Sequence, residues 1–70
     1  MNDKIYNDIT DFYNDVADYV SLEYKSKYHK MLFDDRNIDQ LFDMVGRYYM
    51  GGNNIPDTAG MMVDYFKTLK

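Results

Sequence analysis

The chain has 70 residues, enough for one small domain, and it carries a net charge of −4 with no cysteine. The lack of cysteine excludes disulfides, thiolate zinc sites and cysteine nucleophiles. No apolar run is long enough to span a bilayer, and residues 1–10 lack the basic-then-apolar pattern of a secretory signal. We therefore expect a cytoplasmic protein with no membrane contact.

The composition also predicts self-association. A chain this short buries a small core, and a second copy or a partner would add stability. Eight tyrosines and six methionines are many for this length. Both residue types suit half-buried or interfacial surfaces, so we expect a homodimer.

The negative charge is carried almost entirely by aspartate, because eleven of the twelve acids are Asp and only Glu23 is Glu. Aspartate has a lower helix propensity than glutamate and holds its carboxylate close to the backbone. Two interpretations stay open. The first is a codon bias that also enriches Asn, Lys, Tyr and Ile, and the second is a charge array that needs defined positions.

The first predicted element is a long helix over residues 3–32, with room for a kink near Ser21. Its apolar residues recur at steps of three and four, and neither Pro nor Gly interrupts them. The stripe comprises Ile5, Ile9, Phe12, Val16, Tyr19 and Val20, and it continues through Tyr24, Tyr28, Met31 and Leu32.

Four acids lie beside this apolar stripe: Asp8, Asp11, Asp15 and Asp18. At about 100° per residue they fall within roughly 80° of one another, over about 15 Å of helix. A solvated helix face is one interpretation. A run of like charge without interleaved lysine is less common than the mixed faces of ordinary surface helices, so a binding surface is the other.

The sign of the charge reverses after the acidic run. Lys25, Lys27 and Lys30 alternate with Tyr24 and Tyr28, a composition that could contact nucleic acid. Residues 24–33 carry +3, but residues 1–23 carry −5 and residues 34–70 carry −2. Flanks of that sign repel phosphates, so we expect no direct nucleic-acid binding and expect these lysines to pair with acids of another helix or subunit.

The segment 34–39 predicts a helix start. Asp35, Asn37 and Asp39 match alternate positions of a calcium loop, but Gln40 stands where that loop needs Gly. Asn37 followed three residues later by Gln40 resembles a capping box, and Asp34 or Asp35 is the other cap candidate.

Two further helices are predicted, over residues 38–50 and 56–69. Gly51 or Gly52 supplies the left-handed residue that ends the first of them, and Pro56 opens the second. Gly46, in the middle of the first, indicates close packing against another helix. A second set of acids steps by four along the same helix: Asp35, Asp39 and Asp43. The sequence thus predicts a single all-α domain over residues 1–70, with a long first helix followed by a helical hairpin.

Residues 43–65 resemble the later part of the ArdA-type antirestriction proteins. The stretch runs Asp-Met-Val-Gly-Arg-Tyr-Tyr-Met over 43–50, then a short turn, Ile-Pro at 55–56 and Val-Asp-Tyr at 63–65. The family shows an Arg-Tyr-Tyr helix end, a Val-Pro start and an Ile-Asp-Tyr step in the same order. The resemblance implies a phage- or mobile-element-encoded, non-enzymatic inhibitor that presents carboxylates as DNA presents phosphates.

On this hypothesis the partner is a bacterial DNA-binding defence enzyme, either a restriction–modification enzyme or a CRISPR effector, in the host cytoplasm. The candidate contacts, chosen from spacing, are Asp8, Asp11, Asp15 and Asp18, then Asp35, Asp39 and Asp43. The alternative is a helical module that binds a protein partner through an apolar Tyr/Met surface at Tyr48, Tyr49 and Met50.

An enzyme is not expected. His29 is the only histidine and no Cys, Ser or second His stands at motif spacing from it. The sequence offers no glycine-rich phosphate loop either. We therefore predict no catalytic residue, no metal ligand and no cofactor.

Overall fold

The computed structural model describes residues 3–69, so the ends of the predicted domain at 1 and 70 lie outside the described residues. Within this range the regular structure consists of four helices: α1 (Asp3–Glu23), α2 (Ser26–Leu32), α3 (Ile38–Met50) and α4 (Ile55–Thr68). The predicted all-α class is confirmed. The predicted count of three helices is wrong, because the first predicted helix is two.

The predicted helix 3–32 breaks at Tyr24 and Lys25, where the backbone of Lys25 is extended. In a continuous helix Leu32 would lie about 28 Å along the axis from Tyr13. The break instead brings Leu32 back, where it is fully buried and its carbonyl accepts a hydrogen bond from the Tyr13 hydroxyl. Core formation thus overrides a periodicity that runs through the break.

Helix α1 is the centre of the fold and packs against all three other helices. Its 21 residues extend about 31 Å. The molecule measures 35 × 24 × 17 Å, so α1 must run along the long dimension. The buried core comprises Tyr13, Val16, Ala17, Val20, Leu32, Leu41, Val45, Ala59, Met62, Val63 and Phe66.

The hairpin of α3 and α4 agrees closely with the prediction. Helix α3 has the predicted bounds, and Gly52 adopts the left-handed conformation after it, with φ +85°. Helix α4 begins and ends one residue earlier than predicted. Its N-cap is Asn54, whose side-chain oxygen accepts a hydrogen bond from the Asp57 amide at 2.8 Å.

The predicted capping box at the start of α3 is wrong. Asn37 occupies the N-cap position, but its side chain makes no capping hydrogen bond. The loop is organised by Asp34 instead, whose carboxylate accepts a hydrogen bond from the Arg36 amide at 3.0 Å and forms an ion pair with the Arg36 guanidinium at 2.9 Å. These contacts hold the pKa of the Asp34 carboxyl below its usual range.

Candidate partner-binding surface

The four acids of α1 form the candidate site, and we call Asp8, Asp11, Asp15 and Asp18 the acidic stripe. Asp11, Asp15 and Asp18 are exposed, and Asp8 is half-buried. Val16 and Val20, on the opposite side of the helix, are fully buried. The side chains therefore lie as the spacing predicts, with the acids toward solvent and the apolar residues toward the core.

The acidic stripe is held on a rigid support. Helix α1 is anchored along its length, because Tyr13, Val16, Ala17 and Val20 are buried and the other three helices pack against it. A carboxylate on a packed helix has a fixed backbone position, and the short aspartate side chain adds little freedom. The stripe can therefore meet a partner with little ordering cost.

The spacing of the charges resembles that of one nucleic-acid strand more than that of a duplex. Successive acids of the stripe rise by about 4.5, 6 and 4.5 Å along the axis. A DNA strand carries one phosphate per about 3.4 Å of helix axis, and a duplex one per about 1.7 Å. The stripe thus has about two-thirds of the linear charge density of a single strand.

No ion pair neutralises the acidic stripe in the part of the chain that the structure describes. The two ion pairs found there join Arg36 to Asp34 and Arg47 to Asp43. Neither involves an acid of α1. Asp11, Asp15 and Asp18 therefore carry their charge on the exposed surface of α1.

The second predicted set of acids does not form a single line. Asp35 lies in the turn before α3, outside the helix. It therefore does not continue the line that Asp39 and Asp43 form along the flank of α3. Asp39 and Asp43 are both exposed on α3. Asp43 forms an ion pair with Arg47 at 3.0 Å, which partly offsets its charge.

Most of the predicted apolar interface is used inside the molecule. Tyr48 is half-buried against the core, and the Tyr49 ring packs on Phe12 with centroids 5.1 Å apart. Of the three predicted residues only Met50 is largely exposed, at 66%. Tyr48 and Tyr49 therefore keep part of their surface exposed while packing within the molecule, and the apolar interface of Tyr48, Tyr49 and Met50 stays a prediction.

Leu22 is a candidate contact residue that the sequence analysis missed. Its side chain is 79% exposed, the highest value among the large hydrophobic residues described. It follows Asp18 by four residues, and the helical angle places it at the middle of the same face. Helical spacing alone indicates this residue, because the angle that groups the four acids on one face of α1 also includes Leu22.

The basic segment meets the end of α4. Lys25 and Lys67 line a shallow pocket together with Glu23, Tyr24 and Tyr28. The Lys27 ammonium lies 5.1 Å from the centre of the Tyr28 ring. The C-terminal ends of α1 and α4 also face this region, and their dipoles offset the lysine charge. Glu23 adds a negative charge in the same pocket, so the charges around it roughly cancel.

In residues 3–69 no cluster of three or more His, Cys, Asp or Glu side chains could hold a metal ion. None of the helices described is both long enough and apolar enough to cross a membrane.

Comparison with known proteins gives no match. No family model fits the chain, no curated protein is significantly similar to it, and no solved structure is significantly similar to it. The resemblance of residues 43–65 to the ArdA-type antirestriction proteins stays a prediction.

Proposed function

We propose that this protein is a small, non-enzymatic inhibitor of a bacterial nucleic-acid-targeting defence enzyme, either a restriction–modification enzyme or a CRISPR effector. The acidic stripe occupies the cationic groove in which the target binds DNA or RNA. The observation that carries the proposal is the line of four carboxylates on one side of a packed helix, with no ion pair to any of them among the described residues.

The physical basis is competition for the same cations. A nucleic-acid-binding groove is lined with Lys and Arg, and its affinity for phosphate depends largely on charge. Carboxylates on a rigid helix can pair with those side chains, and the target can neither cleave nor modify them. Complementary charge also accelerates association, and both effects weaken as salt increases.

The experiment compares two double variants of equal net charge. Asp11→Asn with Asp15→Asn removes the middle of the stripe. Asp57→Asn with Asp64→Asn removes two exposed acids from α4 and leaves both candidate sets of acids intact. Close charge pairs at interfaces contribute enough that we expect the first variant to inhibit a restriction endonuclease or CRISPR nuclease at least about tenfold less well. The second should inhibit as the unmodified protein does.

The readouts are cleavage of a DNA substrate in vitro and plating of phage on a restricting host that expresses each variant. Circular dichroism verifies that the variants keep their helices. Equal inhibition by all three proteins would refute the acidic stripe as the contact.

Leu22 extends the proposed contact beyond charge. Replacing it with alanine should weaken inhibition while leaving the unfolding free energy within about 0.5 kcal/mol, since the side chain is mostly in solvent. If Leu22→Ala still weakens inhibition at high salt, the leucine side chain contributes to binding separately from the carboxylates.

The alternative function is a helical module that binds its partner through an apolar surface. Exposure of Met50 beside Ile5 supports it. The two functions differ in their salt dependence: affinity of the acidic stripe falls as salt rises, whereas that of an apolar contact changes little.

A further inference from the structure

An apolar groove of about 410 Å³ lies between the first turns of α1 and the last turns of α3. We call it the α1/α3 groove. One edge carries Asp43 and Arg47. Its apolar lining comprises Ile5, Ile9, Phe42, Gly46 and Met50.

Three exposed apolar side chains of the described residues lie at or beside this groove. Met50 is 66% exposed and Ile5 is 39% exposed. Tyr6, which is 55% exposed, packs its ring 5.5 Å from the ring of Phe42 in the groove wall. These three are among only seven large hydrophobic residues that are exposed in the described part of the chain. Clustering of this kind marks a contact surface more than scattered exposure does.

Gly46 lines the groove and is itself buried in the single chain. A glycine inside a helix costs up to about 1 kcal/mol relative to alanine. A Cβ atom on Gly46 would lie 3.5 Å from two atoms of Ile9, which is ordinary van der Waals contact. Packing within the molecule therefore leaves room for alanine.

The charges at the edge of the groove favour a second copy of this chain as the occupant. Asp43 and Arg47 are both exposed and pair with each other at 3.0 Å, so this edge carries no net charge. A strongly acidic or strongly basic partner would therefore find no opposite net charge along it. In a two-fold interface each residue meets its complement from the other copy, so Arg47 of one copy would face Asp43 of the other.

We propose that the α1/α3 groove is the surface at which two copies of this chain associate about a two-fold axis. Ile5 and Ile9 lie about 100 to 140° around α1 from the middle of the acidic stripe. Association through the groove thus leaves both acidic stripes in solvent. The proposal does not depend on the proposed inhibition, because self-association is measured with the chain alone.

The first experiment is sedimentation equilibrium of the full chain over a range of concentrations. The unmodified protein should dimerise. Met50→Gln should weaken the dimer by about tenfold or more, since it removes apolar area from both sides of the interface. Leu22→Gln is the matched control, an equally exposed apolar residue outside the groove, and should leave the dimer unchanged. Gly46→Ala should raise the thermal stability of the fold, because a Cβ atom there has room inside the chain.

The second experiment uses the two-fold pairing itself. Asp43→Arg places two cations at each edge and Arg47→Asp places two anions, so each variant alone should be a monomer. An equimolar mixture should form a heterodimer, because every cross-interface pair then joins opposite charges. Rescue on mixing supports a two-fold contact at this edge. Three outcomes would each overturn the proposal. They are a monomeric unmodified chain at all concentrations, a dimer unaffected by Met50→Gln, and two charge variants that remain monomers when mixed.

Discussion

Replacing Tyr13 with phenylalanine should change the stability of the protein in opposite directions at neutral and alkaline pH. The Tyr13 ring is buried, and its hydroxyl donates a hydrogen bond to the Leu32 carbonyl. This hydrogen bond joins the C-terminal end of α2 to the middle of α1. Its loss leaves a buried carbonyl without its donor, so Tyr13→Phe should cost about 1 to 2 kcal/mol at neutral pH.

The alkaline effect follows from the pKa of the same hydroxyl. Burial raises the pKa of Tyr13 from its ordinary value near 10 to about 12. The neutral form is favoured in the folded state, so its stabilising contribution is complete below pH 10 and is lost as pH rises toward 12. Two pKa units correspond to about 3 kcal/mol. Phenylalanine does not titrate and escapes this loss, so the two unfolding free energies should become equal near pH 11 and then reverse in order.

The assay is urea unfolding followed by circular dichroism at several values of pH from neutral to 12. Other tyrosines and lysines also titrate in this range, but they are common to both proteins and cancel in the difference. Tyr6→Phe is the control, because Tyr6 lies on the same helix and is 55% exposed. A constant difference between the unmodified protein and Tyr13→Phe from pH 9 to 12 would refute a buried, hydrogen-bonded hydroxyl.

Three further substitutions test the fold. Thr58 is fully buried, and its hydroxyl lacks a hydrogen-bond partner among the described residues. Thr58→Val should therefore raise the unfolding free energy by about 1 kcal/mol or more. A lower unfolding free energy in the variant would indicate that the hydroxyl is hydrogen-bonded after all. Asn54→Ala should lower the unfolding free energy by about 1 kcal/mol, because it removes the cap on the Asp57 amide. Asn54→Ser retains a capping oxygen, so in urea unfolding it should be more stable than Asn54→Ala. Gly52→Ala should cost about 1 to 2 kcal/mol, since alanine is strained at φ +85°, and thermal unfolding that is unchanged by it would contradict the left-handed turn.

The parts of the fold that local chemistry decides were predictable from the sequence. The bounds of α3 follow from its apolar period and from the glycines after it, and the acids of α1 follow from helical spacing. Each of these depends on residues within a few positions of one another. The left-handed Gly52 is the clearest case, because its role requires no knowledge of the rest of the chain.

The parts that tertiary packing decides were not predictable in this way. The break at Tyr24 and Lys25 contains neither Pro nor Gly, and it exists because Leu32 reaches the core only if the chain turns back. The packing of Tyr49 against Phe12 joins residues 37 positions apart, which no periodicity indicates. The α1/α3 groove likewise combines residues from two distant segments, so its apolar lining was visible only once the helices were placed.

The acidic stripe has a thermodynamic consequence for the free protein. Neighbouring acids three or four residues apart repel one another, and the three such pairs along Asp8, Asp11, Asp15 and Asp18 together destabilise α1 by about 1 kcal/mol. Salt screens this repulsion within a Debye length of about 10 Å at 0.1 M. The same four carboxylates should therefore give two opposite salt responses. As ionic strength rises, the folded chain should become more stable, whereas its affinity for a cationic partner should fall. A bound partner that neutralises the stripe would stabilise the helix in the way that salt does, and the complex would unfold at a higher temperature for that reason in addition to mass action.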